Sequence, residues 1–253
     1  MQTVKLAGGI GNQCFQFAFG RALQHRGQQV QFKFEDSVRP YSLDQFNVNI
    51  SLTSQLYGPI REFREKTFAF DSDALEQSDG TFFNGCWQAE RYFHDISAKL
   101  RAELTLKNIS TKVSEMGSSL QSTETVFLHV RRGDYLQQPF TDYHGLMGLD
   151  YYERAVQHII SRVANPRFIV FSDDAEWCKQ NLPYEVVTGF AAHEDLYLMS
   201  RCKHAVIANS TFSWWSAWLG DEQPDRIVIA PSRWFAGAKL DTSEIIPKRW
   251  ATI

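Results

Sequence analysis

Residues 125–134 have the sequence TVFLHVRRGD, in which an apolar run ends at two arginines, a glycine and an aspartate. The run from Val126 to Val130 predicts a buried strand, with the charged residues at its carboxyl end. Strand and helix then alternate: the pattern predicts strands at 167–171, 185–187, 204–208 and 226–230, and helices at 149–163, 175–181, 194–202 and 212–219. Such alternation is typical of a doubly wound α/β domain with a parallel sheet.

The amino-terminal part of the chain opens with a similar pattern. It predicts a strand at 4–7, a glycine turn at 8–11, a helix that ends at Gly27 and a second strand at 30–34. This β-turn-α-β unit implies a parallel sheet of its own.

Two polar regions lie between these patterns. Residues 37–79 carry mixed signals and are predicted as irregular segments and short helices, and the serine-rich stretch 110–125 is predicted as a linker. We therefore expect two α/β domains, residues 1–120 and residues 121–253.

Composition excludes several classes of protein. The 253 residues include 26 Lys and Arg and 29 Asp and Glu, a net charge of −3, so a general nucleic-acid binder is not expected. The four cysteines are far apart and match no zinc spacing, which predicts buried, reduced thiols. No apolar stretch approaches the ~20 residues of a membrane span, so we expect a soluble, cytoplasmic protein.

Polar side chains follow several of the predicted strands. Arg131 and Arg132 follow the first strand of the second domain, Asp173 and Asp174 follow the next, and Asn209 follows a third. Ligands of doubly wound sheets bind at this carboxyl edge. Two guanidinium groups there suit a diphosphate. The alternative is that one arginine pairs with Asp134 while the other faces solvent.

The sequence Asn209-Ser210-Thr211 precedes a predicted helix. Backbone amides and hydroxyls at a helix start can hold an anion, although Asn, Ser and Thr are also ordinary N-cap residues. Asp173 and Asp174 have the same two interpretations, since either can cap the helix that follows or contact the ligand.

Two further motifs are weaker. Gly9 and Gly11 resemble half of a dinucleotide fingerprint with Glu35 or Asp36 as the ribose-binding acid, but Cys14 occupies the third glycine position. A tight turn that presents Asn12 and Gln13 to a cleft explains the same residues. Asp71-Ser72-Asp73 matches the DxD of metal-dependent sugar-nucleotide transferases, although a solvated turn is favoured and no metal site is expected.

Taken together, five blocks resemble the bacterial α-1,2-fucosyltransferases of glycosyltransferase family 11. The blocks are residues 8–18, 83–93, 129–135, 171–178 and 208–215. They fall in order over most of the chain, from Met1 to about Gly220. As a set they are far more specific than any one of them.

The resemblance implies a GT-B-like fold in which two Rossmann-type domains face a cleft. Residues 1–120 would be mainly the acceptor side, residues 121–253 would bind GDP-fucose, and neither a metal nor another cofactor would be needed. Arg131 would contact the β-phosphate, and Asp195 would bind guanine. The other donor-site residues of the second domain would be His129, Arg132, Asp173, Asn209, Ser210, Thr211 and Phe212. Gly11, Asn12 and Gln13 would line the opposite side of the cleft. The alternative role of Asp195 is charge compensation at a helix start.

The resemblance implies inverting transfer of L-fucose from GDP-β-L-fucose to the 2-hydroxyl of a β-galactoside, in a glycan such as an O-antigen or capsule. Asp134 is our candidate for the general base, with an orienting role towards Arg131 as an open alternative and His144 as a further candidate. The alternative functions are a nicotinamide-dependent oxidoreductase and a non-catalytic sugar-binding module built on the tryptophans of residues 212–215. Peripheral association with a membrane that carries a lipid-linked acceptor is compatible with the sequence.

Overall fold

The computed structural model describes residues 1–56, 60–237 and 241–253. The chain divides into two compact units. Unit 1 comprises Met1–Lys107 and Leu240–Pro247, and unit 2 comprises Asn108–Lys239 and Lys248–Ile253. In the described residues each unit contains one sheet, and all of the strand pairs in both sheets are parallel.

Unit 1 is built on a four-stranded sheet. Its elements are β1 (Gln2–Leu6), α1 (Ile10–His25), β2 (Val30–Phe34), β3 (Arg61–Arg64), β4 (Thr81–Asn84) and α2 (Ser97–Glu103). The strand order is β2-β1-β4-β3. Helix α1 lies close to the sheet at Gly20, where an added Cβ would come within 2.4 Å of the Phe32 ring. A residue with a side chain at this position would force the helix away from β2.

Strand β3 lies in the region that the sequence predicted as irregular. Its sequence is REFR, and only Phe63 is apolar and partly buried. An edge strand pairs on one side only and needs no continuous apolar run. The hydrophobic pattern is therefore too short to reveal it.

Unit 2 is built on a six-stranded sheet. Its elements are α3 (Thr111–Gln121), β5 (Thr125–Val130), α4 (Phe140–His144), α5 (Leu149–Ile160), β6 (Arg167–Ser172), α6 (Ala175–Asn181), β7 (Glu185–Val186), α7 (Ala192–Arg201), β8 (His204–Val206), α8 (Thr211–Leu219), β9 (Val228–Ala230) and β10 (Ala251–Thr252). The strand order is β10-β9-β8-β5-β6-β7. This is the Rossmann order, and its direction of winding reverses between β5 and β8. The prediction of a doubly wound α/β domain is confirmed.

The prediction of a linker at residues 110–125 is wrong, because most of this stretch forms α3. The Ser110 hydroxyl accepts a hydrogen bond from the Val113 amide and so caps the helix. Val113, Gly117 and Leu120 are buried, and their spacing of four and three residues places them on one helix face. Serine and glycine suggested a linker, but this sparse apolar stripe is sufficient for packing. The predicted boundary at residues 120 and 121 falls inside α3.

The tryptophans of α8 belong to the core of unit 2. Trp214, Trp215 and Trp218 have no solvent exposure and lie within 6.2 Å of one another, ring centre to ring centre. A buried indole cannot stack on a sugar, so the proposed sugar-binding module based on residues 212–215 is wrong. In the described ranges, no helix is both long and apolar enough to cross a bilayer.

Candidate active site

The reversal of strand order between β5 and β8 brings two loops together at the carboxyl edge of the unit 2 sheet. Arg131 and Arg132 follow β5 directly, and the segment after β8 leads through Asn209 and Ser210 into α8. Strand β6, which pairs with β5 on its other side, ends beside Asp173. In open α/β sheets such a crevice is the usual position of the ligand.

Arg131 is held between two carboxylates. Its Nη1 lies 2.8 Å from Asp173 Oδ2, and its Nη2 bonds Asp134 Oδ1. The guanidinium carbon also lies 5.3 Å from the centre of the Tyr135 ring. The pairing of an arginine with Asp134, which the sequence left as an alternative, is therefore present.

Arg132 is also fixed, so the second half of that alternative, an arginine that faces solvent, is not found. Its Nε lies 3.1 Å from Asp174 Oδ2, and its guanidinium carbon lies 3.9 Å from the centre of the Trp177 ring. Its backbone amide donates to Asp173 Oδ1 at 2.8 Å. Sequence reasoning missed Trp177 as an arginine platform, although its position one turn into α6 was a usable signal.

Gly133 allows the carboxylate cluster to close on the arginines. A Cβ at this residue would lie 2.5 Å from Asp173 Oδ2, so any side chain would displace the carboxylate. The two arginines and the three aspartates that pair with them carry a net formal charge of −1. The guanidinium groups are thus oriented, and their charge is more than balanced by the three carboxylates, before any ligand binds.

Helix α8 begins at this edge without a side-chain cap. Ser210 is its N-cap residue, yet the Ser210 side chain accepts no hydrogen bond from the amides of the first turn. The amides of a first helical turn have no acceptor within the helix, and with the helix dipole they favour an anion. Ser210 therefore occupies the N-cap position, as the plain interpretation of Asn209-Ser210-Thr211 has it, but without the capping hydrogen bond. Thr211 and Phe212 are partly exposed at the helix start.

Asn209 has a structural function that the sequence did not indicate. Its side chain is buried, and Nδ2 donates to the carbonyls of His144 at 2.9 Å and Trp234 at 3.1 Å. It joins two loops beneath the site. An amide used in this way is not available as a donor to a ligand in this conformation.

His129 is the penultimate residue of β5, just before the two arginines. It is 3% exposed, and burial, reinforced by Arg131, lowers the pKa of its imidazole to about 3. The ring is therefore neutral at physiological pH. It lies 5.5 Å from the Phe212 ring, centre to centre, so it supports the start of α8.

His144 lies next to the arginine cluster. Its ring stacks on Tyr135 with the ring centres 4.3 Å apart. Burial lowers the pKa of His144, nearby Asp134 opposes this shift, and Arg131 adds to it. A neutral imidazole at this position can accept a proton.

Asp195 lies in the first turn of α7 and is partly buried. Burial raises the pKa of its carboxyl to about 7, and the neighbouring Glu194 adds to the shift. Glu194 itself accepts the Ala191 amide at 2.8 Å, so the helix-start charge is already provided. Among the described residues, no donor is within hydrogen-bonding distance of the Asp195 carboxyl.

The glycine turn of unit 1 is closed by its own side chains. Gln13 is fully buried, its Nε2 donates to the carbonyls of Gly8 and Pro40, and its Oε1 accepts from the Ser42 amide. The expectation that Gln13 lines a cleft is therefore wrong. Gly11 is buried as well. Asn12 is partly exposed and accepts from Gln88 at 3.2 Å.

The predicted ribose-binding acid has a different partner. Asp36 accepts hydrogen bonds from the amides of Gly8, Val38 and Arg39, and these bonds lower its pKa. Asp36 is thus engaged with the backbone of its own turn, which argues against its role as the ribose-binding acid of an oxidoreductase.

The DxD segment is a capped turn. Asp71 Oδ1 accepts the Asp73 amide at 2.9 Å and caps a single turn of 3-10 helix at Ser72–Glu76. Within the described ranges, no group of three or more His, Cys, Asp and Glu side chains is arranged to hold a metal ion.

The whole chain, residues 1–253, matches the sequence profile of Glycosyl transferase family 11. The protein belongs to this family of glycosyltransferases, which transfer a sugar from a nucleotide-sugar donor to a glycan acceptor. It is 32% identical to the alpha-1,2-colitosyltransferase of Escherichia coli, over 99% of this chain and 98% of that protein. It is 31% identical to the O-antigen biosynthesis glycosyltransferase WbnK of Escherichia coli, over 92% and 94% of the two chains. Galactoside alpha-(1,2)-fucosyltransferase 1 of Mus musculus is 26% identical over 86% of this chain and 63% of its own length.

Solved structures share the fold at low sequence identity. The glycosyl transferase family 9 protein from Veillonella parvula aligns with a TM-score of 0.53 and 11% identity, over 100% of this chain and 85% of its own. The ADP-heptose LPS heptosyltransferase II of Escherichia coli aligns with a TM-score of 0.51 and 12% identity, over 100% and 90%. The predicted GT-B-like class of two α/β units with parallel sheets is confirmed.

Proposed function

We propose that this protein is an inverting α-1,2-fucosyltransferase that moves L-fucose from GDP-β-L-fucose to the 2-hydroxyl of a β-galactoside in a glycan. The observation that carries the proposal is the arginine pair beside the uncapped start of α8, at the point where the unit 2 sheet reverses its winding. A family 11 chain with this arrangement has what a nucleoside diphosphate leaving group requires.

The leaving group would be stabilised in two ways. The amides at the start of α8 would bind phosphate oxygens, with Ser210, Thr211 and Phe212 at the contact. Arg131 would contact the β-phosphate from the opposite loop, held in its plane by Asp134 and Asp173. Negative charge grows on the β-phosphate as its bond to the sugar breaks, and fixed donors stabilise that charge without reorganising.

Asp195 would recognise the base. Its ionised carboxylate can accept hydrogen bonds from both N1–H and the 2-amino group of guanine, whereas adenine offers no such pair of donors. The partly buried carboxyl without a donor of its own supports this assignment. The energy of burying it would be recovered when guanine binds.

We assign proton acceptance to His144 and orientation of Arg131 to Asp134. In this mechanism the acceptor oxygen attacks the anomeric carbon, its proton moves to His144, and GDP leaves from the opposite face. The lowered pKa of His144 keeps the ring in its basic form, and the ion pair of Asp134 with Arg131 supports an orienting role. His144→Ala should bind GDP-fucose normally and transfer slowly, whereas Asp134→Asn should also lose donor affinity. The opposite pattern would return Asp134 to the role of base.

A second donor, GDP-colitose, is favoured by one observation, the 32% identity to a protein named alpha-1,2-colitosyltransferase. Colitose is L-fucose without its 3-hydroxyl group. A site that hydrogen-bonds this hydroxyl discriminates strongly against the deoxy sugar, whereas an apolar site does not.

The decisive experiment measures GDP release from each donor with a β-galactoside acceptor, and NMR of the product gives the linkage. We expect release with GDP-fucose and an α-1,2 product. Release with GDP-colitose alone would change the donor, and no release with either would refute the proposal. NADH binding without GDP binding would instead support an oxidoreductase.

The reaction would take place in the cytoplasm, without a metal ion or other cofactor. All four cysteines are free thiols, as a reducing compartment allows. A lipid-linked acceptor would bring the enzyme to the membrane surface only peripherally.

A further inference from the structure

Unit 2 carries an exposed apolar surface next to the arginine cluster. Leu136, Phe140 and Tyr143 are 49%, 44% and 41% exposed, and we call these three side chains the aromatic shelf. Beside it lies an open cavity of about 290 Å³, lined by Pro139, Asp142, Tyr143 and Gly237. This volume is near the lower end of small-molecule sites, roughly 300 Å³, so it suits a group of about one sugar ring.

The shelf is fixed to the candidate active site. The Tyr143 carbonyl accepts the Ala236 amide at 3.0 Å, which joins the two walls of the cavity. Asn209 holds the carbonyls of His144 and Trp234, and so anchors the same two segments. The Tyr143 ring lies 4.8 Å from the His144 ring, centre to centre. A ligand on the shelf would therefore lie next to His144.

Charge distinguishes between possible occupants. Residues 133–150 contain three aspartates and neither lysine nor arginine. Asp134 and Asp150 are ion-paired with Arg131 and Arg154, so Asp142 is the carboxylate that faces the cavity. The shelf itself supplies no lysine or arginine, the residues that bind a diphosphate or the anionic surface of a bilayer. A neutral sugar fits both properties of the surface, because its C–H face packs on an aromatic ring and its hydroxyls donate to a carboxylate.

We propose that the aromatic shelf and its cavity bind a sugar ring of the acceptor glycan, with Tyr143 packed on the ring face and Asp142 accepting from its hydroxyls. The inference rests on the proposed function and extends it, since it gives unit 2 a share of acceptor binding. It also explains how an acceptor hydroxyl reaches His144.

The test compares the Michaelis constants of the two substrates, with lactose as the acceptor and GDP-fucose as the donor. Tyr143→Ala should raise the KM for lactose by about five- to tenfold, and Asp142→Asn by a similar factor. The KM for GDP-fucose and the saturating kcat should change by less than about twofold. Tyr143→Phe keeps the aromatic ring and should have a KM for lactose close to that of the wild type. Ile160→Ala is the matched control, because Ile160 is 50% exposed and ends α5 at the opposite edge of the sheet.

An unchanged KM for lactose in both Tyr143→Ala and Asp142→Asn would overturn the proposal. An equal rise in the KM for lactose and the KM for GDP-fucose would also overturn it, because it would place the shelf in the donor site. The shelf would instead be a membrane contact if the wild-type protein sediments with phosphatidylglycerol vesicles and Phe140→Ala and Tyr143→Ala do not, while both variants keep the wild-type KM for lactose. If the wild type transfers no fucose, the proposed function fails separately. The shelf is then tested by saturation-transfer NMR of lactose on the wild type and Tyr143→Ala, where equal signals would refute it.

Discussion

Both sheets are parallel, but their carboxyl edges differ in chemistry. In unit 1 this edge carries Gln13 and Asp36, and both are bound to the backbone of their own unit. In unit 2 it carries Arg131 and Arg132, together with an uncapped helix start. Neither α1 nor α8 has a side-chain cap, so the helix starts do not distinguish the two units. The arginine pair of unit 2 does, whereas in unit 1 the carboxylate of Asp36 binds the Gly8 amide.

The difference shows that two turns of the same Rossmann type can carry opposite charge. The turn at Gly8 leads into a helix that also lacks a side-chain cap, but the side chain bound to it is the carboxylate of Asp36, where unit 2 presents two arginines. We infer that the nucleotide binds to unit 2. The predictions below test this division, beginning with the largest expected effect.

Replacement of Arg131 by lysine should cause the largest loss. Lysine retains the charge but cannot bond Asp134, Asp173 and a phosphate in one plane, so we expect turnover to fall by about 100-fold or more. Steady-state assays of fucose transfer measure this loss. Arg154→Lys is the control, because Arg154 is an exposed arginine that is ion-paired on α5. Near-normal turnover of Arg131→Lys would remove Arg131 from the reaction.

GDP affinity should depend on pH through Asp195. Guanine requires the ionised carboxylate, whose pKa in the free protein is raised to about 7, so affinity should fall as the pH drops through that value. One unit below it, GDP should bind about tenfold more weakly than in alkaline solution. Calorimetry with GDP and ADP provides the measurement.

The variant Asp195→Ala should bind GDP weakly at every pH and should lose its preference over ADP. Retention of the pH dependence in this variant would assign the titration to another group. Unchanged GDP affinity would leave Asp195 without a part in base recognition.

Replacement of Gln13 by alanine should affect stability and leave the nucleotide site intact. It removes hydrogen bonds to Gly8, Pro40 and Ser42, which should cost about 3 kcal/mol and lower the Tm by roughly 5–10 °C. GDP affinity should stay within about twofold of the wild type. Gln137→Ala, at an exposed glutamine, should change neither quantity. A clear loss of GDP affinity in Gln13→Ala would bring unit 1 into the donor site.

The smallest effect is expected from chelation. Arg131 and the amides of α8 would serve the diphosphate, so we expect the transfer rate with EDTA to stay close to that without it. Rates measured before and after addition of manganese provide the check. If EDTA abolishes transfer and manganese restores it, Asp71 and Asp73 would be the metal ligands. The assignment of the donor site to unit 2 alone would then be wrong.

Much of the fold was predictable because its determinants are local. The apolar run at 125–130 and the alternation that follows it gave β5 to β9 and the helices α5 to α8 with small errors at the ends. Strands β3, β4 and β10 and helices α2, α3 and α4 were not predicted. For β3 and α3 the reason is that an edge strand and a serine-rich helix leave only one or two apolar residues to indicate burial. Membership of glycosyltransferase family 11 was also indicated by short motifs, and the match over the whole chain confirmed it.

The sequence by itself determined which chemical groups stand at the ends of the strands. Only the tertiary structure decided what each group does, because pairing and burial depend on which strands are neighbours. The order of the unit 2 sheet brings Asp173 to Arg131 across 42 positions of sequence, and it reverses between β5 and β8 where no local pattern marks the change. Burial in α7 raises the pKa of Asp195, while burial in α1 turns Gln13 into a structural residue. Solvent exclusion is a property of the packed chain, and it separates residues that look equally polar in sequence.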